Sequence, residues 1–76
     1  MPRYFFNVQD KTQYKDEIGV DLPDLKCAKE EALHHFGETL QSYASFFADG
    51  ALWQISVTDD GGTELMKFSF FMHQRT

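Results

Sequence analysis

From Pro23 to Gly50 the apolar residues recur at helical spacing, and on both sides of that stretch they alternate at the two-residue period of strands. One helix flanked by strand pairs can bury its apolar stripe only against a sheet. The stripe is Leu25, Ala28, Ala32, Leu33, Phe36, Leu40, Tyr43, Phe46 and Phe47. At about 100° per residue it spans an arc of roughly 140°, the width of a core-facing helix. Asp24 is suited to cap the first turn, because its carboxylate accepts from amides that lack an intrahelical partner. Asp49-Gly50 closes the helix, with glycine suited to a left-handed cap. Gly37 falls off the stripe, at a cost of about 1 kcal/mol against alanine.

Alternation predicts four strands. The first is Arg3 to Gln9, with Tyr4, Phe6 and Val8 on one face and Phe5 and Asn7 on the other. After a polar turn at residues 10–13, the second runs from Glu17 to Leu22, with Ile18, Val20 and Leu22 facing inward. Gly19 within it marks a bulge or a close backbone approach. Leu52 to Thr58 form the third, with Trp53, Ile55 and Val57 inward. The run Asp59-Asp60-Gly61-Gly62 is a hairpin signal, since glycine supplies the positive φ such loops need. The fourth strand, Thr63 to Met72, turns Met66, Phe68 and Phe70 inward. The expected fold is therefore α+β: β-β-α-β-β, a two-layer sandwich of a four-stranded, mostly antiparallel sheet with one long helix on one face.

Seventy-six residues make a single small domain whose core is marginal. Eight Phe, three Tyr and one Trp offset that handicap, and self-association is the other usual remedy, so a homodimer is expected. The formal net charge of -5 and the scatter of Lys11, Lys15, Lys26, Lys29 and Lys67 among twelve carboxylates leave no basic face. That argues against direct contact with nucleic acid or with an anionic membrane surface. A lone Cys27 forms no internal disulfide and fits a reducing compartment. No apolar run approaches the roughly 20 residues of a membrane helix, and no signal core follows the N-terminus, so a cytoplasmic location is the expectation.

The opening Met1-Pro2-Arg3-Tyr4-Phe5-Phe6-Asn7 resembles a family of small bacterial proteins, abundant in rhizobia, that is known as a domain of unknown function. Further shared elements are Asp16-Glu17-Ile18-Gly19, Leu22-Pro23-Asp24, Ala28-Lys29-Glu30-Glu31-Ala32 and Ile55-Ser56-Val57-Thr58-Asp59-Asp60-Gly61. The resemblance implies a bacterial, cytoplasmic, single-domain protein and brings no activity, cofactor or catalytic residue with it. Many members carry His where this chain has Asn7, and an amide does not titrate.

Residues that could carry chemistry are few. Glu30, His34 and Glu38 stand one turn apart on one helix face, the spacing of a weak divalent-metal site. His34 points away from the apolar stripe, however, so the same pattern describes a solvated face. Cys27, in the first helical turn, sits where a helix dipole can lower a thiol pKa. Asp16, Glu17, Asp21 and Asp24 lack the spacing of a calcium loop. The serines at 42, 45, 56 and 69 lack the strained, glycine-flanked turn and histidine of a nucleophile. No catalytic residue, cofactor or metal site is assigned.

What remains is the sheet face turned away from the helix, where Phe5, Leu52, Leu65 and Phe71 form a candidate interface. The expectation is a non-catalytic interaction or ligand-binding module that self-associates or holds a protein partner. The alternatives are an accessory regulatory protein acting through a basic or nucleic-acid-binding partner, and a metal-assisted enzyme using the His34 face.

Overall fold

A computed structural model describes residues 1–9, 13–42, 50, 52–73 and 75 of the chain. Its elements are β1 (Arg3–Gln9), β2 (Gln13–Tyr14), β3 (Val20–Asp21), α1 (Leu25–Ser42), β4 (Leu52–Thr58) and β5 (Glu64–Phe71). The sheet order is β2-β1-β4-β5, every pairing is antiparallel, and β3 also pairs β1. The expected α+β sandwich is thus present, with five strands among the described residues instead of four.

The inner face follows the alternation. Tyr4, Val57, Ala28 and Ala32 are buried together, with Phe6, Leu22, Met66 and Phe68 packed around them. Ile55 and Val57 are the largest fully buried side chains. They lie on β4, the strand flanked by β1 and β5, so sheet neighbours cover both sides, and Ala28 and Ala32 of α1 cluster with Val57 on the inner face. Two alanines at the contact let the helix approach closely, and Phe36 continues the buried row one turn on, its ring against Phe70. Asp24 caps α1 as expected: its Oδ1 accepts from the Cys27 N–H at 2.9 Å. Tyr43, Phe46, Phe47 and Asp49, which the sequence assigns to the helix, lie outside the described residues, as do Asp10 to Thr12, which it assigns to a polar turn.

Two expectations are corrected. The predicted second strand does not run from Glu17 to Leu22; only Val20 and Asp21 pair with β1, through Tyr4 and Arg3. Residues before them form a turn, and Ile18 is 77% exposed instead of facing the helix. Val20, Leu25 and Leu33 are exposed as well, because the helix–sheet contact is narrow and runs along Ala28, Ala32 and Phe36. β5 turns Met66, Phe68 and Phe70 inward as expected, and it also carries a bulge that alternation does not show. Val57 pairs Met66 while Thr58 pairs Glu64, so Leu65 is an extra residue in a bulge. Strict alternation would turn Glu64 inward with Met66; the bulge instead sets it beside Ser56, whose hydroxyl donates to Glu64 Oε1 at 2.7 Å.

The hairpin between β4 and β5 closes as its residues predict. Asp59 N–H donates to the Thr63 carbonyl, Gly62 N–H donates to the Asp59 carbonyl, and Gly62 has φ +82°. Asp59 Oδ1 also accepts from the Gly61 and Thr63 N–H groups, both at 3.0 Å.

Candidate functional site

The predicted second strand breaks because Asp16 does a strand's work with a side chain. Its Oδ2 accepts the Phe6 N–H at 3.1 Å, midway between the two places where β2 and β3 pair with β1. Its Oδ1 accepts the Ile18 and Gly19 N–H groups at 3.0 and 3.1 Å. Asn7 supports it from the neighbouring position. The Asn7 Oδ1 accepts the Asp16 N–H at 2.9 Å, while Nδ2 donates to the Ser56 carbonyl and the Thr58 hydroxyl, each at 3.3 Å. An amide suits this place because it donates and accepts at once. Partial burial pushes the Asp16 pKa up, but hydrogen bonds from Gly19, Phe6 and Ile18, with the Arg3 charge, outweigh it, and the net shift is downward.

Arg3 closes the turn from outside. Its guanidinium makes two hydrogen bonds to the Asp21 carboxylate, at 3.1 and 3.2 Å, and one to the Ile18 carbonyl. Gly19, at φ +76°, lies beneath: a Cβ there would sit 2.8 Å from Arg3 Cγ and 2.9 Å from Phe5 Cε1. Gly19→Ala therefore meets left-handed backbone strain and steric crowding together. We expect a loss of about 2 kcal/mol in urea unfolding, because the backbone conformation disfavours a Cβ and both the Arg3 stem and the Phe5 ring must give way. An unchanged midpoint would refute this account of the turn.

Between this turn and the β4–β5 hairpin is an open cleft of about 310 Å3, lined by Phe5, Asn7, Lys15, Asp16, Glu17 and Asp60 among others. Two of its carboxylates, Asp16 and Asp59, are committed to backbone N–H groups. Among the described residues, no three His, Cys, Asp or Glu side chains converge to hold a metal ion. Glu30, His34 and Glu38 are not brought together as a triad: His34 Nε2 meets Glu38 Oε1 at 2.9 Å, and the adjacent His35 meets Glu31 at the same distance. Both pairs lie on the exposed helix flank.

Cys27 is a partly exposed free thiol in the first turn of α1, where the helix dipole alone would lower its pKa. The Asp24 carboxylate accepts from the thiol, and this contact, followed by desolvation and the charges of Asp24 and Glu30, raises the thiol pKa instead of lowering it. The cap that starts the helix thus also keeps the thiol protonated. Ser56 bonds to Glu64, but that hydrogen bond, with help from Lys67, lowers the Glu64 pKa and leaves it a weak base. Neither contact turns the Cys27 sulfur or the Ser56 oxygen into an activated nucleophile.

The four apolar residues assigned to the outer face are split. Leu52 and Phe71 are directly paired across β4 and β5 and are 47% and 60% exposed. Phe5 pairs with Thr58 at the opposite end of β4 and is half-buried against the Gly19 turn. Leu65 is the bulge residue, 38% exposed. Between the ends, polar side chains line the face; Gln54 Nε2 donates to Ser69 Oγ at 3.2 Å, and Lys67 lies 3.6 Å from Glu64.

A family model for a domain of unknown function, DUF6894, matches residues 3–71. The chain belongs to the DUF6894 family. The match begins with the first residue of β1 and ends with the last of β5, so every element of this DUF6894 domain lies within it. No curated protein and no solved structure matches the chain. Among the described residues of the domain, no helix is long and apolar enough to cross a membrane. The Asp16–Asn7 network escaped a reading of periodicity because it interrupts a periodic segment. An Asp three residues before a glycine within an apparent strand is the signal that marks such a turn.

Proposed function

We propose that this domain is a non-catalytic interaction module that pairs with a second copy of itself. The observation that carries the reading is the exposed Leu52–Phe71 pair at one end of the sheet, together with a row on the opposite face of β5 (Met66, Phe68, Phe70) that is only half-buried at the sheet's border. On β4 the corresponding residues Ile55 and Val57 are sealed. A small domain gains most by covering such apolar surface with another copy. The protonated Cys27 thiol, the weakly basic Glu64 and the flank-exposed histidines support the non-catalytic part.

Light scattering tests it. The parent protein is expected to be a dimer at tens of micromolar. Phe71→Asp should weaken the dimer by about ten- to a hundredfold, the equivalent of one buried Phe side chain. Since Phe71 is exposed in the single copy, its circular dichroism should not change. A parent that stays monomeric at high micromolar concentration sinks the proposal.

A further inference from the structure

Resting on that self-pairing reading, we infer that two copies join β5 edge to β5 edge, antiparallel, in one register with its two-fold axis at Phe68. The two borders of the sheet differ. On one side β1 is covered by two-residue strands interrupted by the Asp16 turn, with Lys15, Glu17 and Asp21 along it. Short, broken and charged borders resist strand addition. On the other side β5 ends the sheet order among the described residues, and from Met66 to Phe71 it is regular and carries one charge, Lys67.

Directly opposed residues in antiparallel strands share a face, so a symmetric pair centres on a residue and not between two. Three centres keep the regular part of β5 in overlap. An axis at Lys67 opposes Lys67 to the partner's Lys67, and like charges directly opposed are destabilising. An axis at Ser69 sets Lys67 against the partner's Phe71 and runs past the strand's end at Phe71. An axis at Phe68 opposes Phe68 to its own copy, Met66 to the partner's Phe70, and Lys67 to the partner's Ser69. Phe71 then faces the partner's Leu65. This register matches apolar to apolar on the inner face, separates the lysines, sets Lys67 against a polar residue and stays within the strand. It also makes the two half-buried inner rows into one.

Disulfide trapping tests the register. In a Cys27→Ser background, differently tagged Lys67→Cys and Ser69→Cys chains are co-expressed and mildly oxidised. Directly opposed Cα atoms, about 4.5–5.5 Å apart, are within disulfide reach, whereas diagonal neighbours are not. The mixed species should form about tenfold more cross-link than either variant with itself. Dominant self-linking of Lys67→Cys or of Ser69→Cys overturns the register. So does a dimer by light scattering that gives no cross-link at all, which leaves the self-association reading standing. A monomeric Cys27→Ser parent overturns both.

Discussion

Ile55→Ala is expected to remove about 3 kcal/mol of stability, the middle of the range for truncating a fully buried aliphatic side chain. Ile55 is 2% exposed and sits between Val8 on β1 and Phe68 on β5, on the same face of β4 as Val57. Neither strand can close over the gap without breaking its ladder, so the space stays and its lining loses contacts. A domain of this length has a total stability on the order of 4–11 kcal/mol, so the loss is a large share. Urea unfolding should show a midpoint lower by about 2–3 M, at the roughly 1 kcal/mol/M slope of a small domain. Leu33→Ala is the control. Leu33 belongs to the same stripe in the sequence but is exposed, and its truncation should change stability by no more than about 0.5 kcal/mol. Equal losses in the two variants would show that the core is not where the structure puts it.

Asp16→Ala should cost about 2 kcal/mol and change how stability responds to acid. The substitution strips acceptors from the Phe6, Ile18 and Gly19 N–H groups together, and water replaces them only in part because Phe6 is half-buried. The Asp16 pKa is lowered in the folded chain, so folding favours the carboxylate. Its contribution is therefore complete above the unfolded value near pH 4 and is lost as pH falls through the lower folded value. Asp24 and Glu64 are shifted the same way, by the Cys27 N–H and the Ser56 hydroxyl respectively, so some acid sensitivity survives in the variant. Urea midpoints at pH 7 and pH 3 should differ less for Asp16→Ala than for the parent. An equal difference would mean that the carboxylate is not holding the turn.

The candidate site was legible in pieces. Exposed apolar residues Leu52 and Phe71 could be read from alternation, because β4 and β5 are joined by a short hairpin that ties their registers together. The face of Phe5 was legible as well, but not its half-burial, since its neighbour Gly19 reaches it only through the Asp16 turn. Glu30, His34 and Glu38 share a helix face as spacing predicts, yet the nearest partners pair off in twos. Cys27 stands at the helix start as expected, but one carboxylate contact reverses the sense of its pKa shift.

By itself the sequence determined the inner and outer faces of β1, β4 and most of β5, the capped start of the helix and the hairpin. These depend on contacts between residues close in the chain or on a two-residue period. Only the tertiary structure decided that β1 lies beside β4, that Asp16 replaces a stretch of strand, and that Leu65 bulges out. It also decided that Leu25 and Leu33 face water while Ala28 and Ala32 carry the helix contact. Each of these depends on which backbone groups distant segments bring together and how closely two layers approach, and local periodicity carries no record of either.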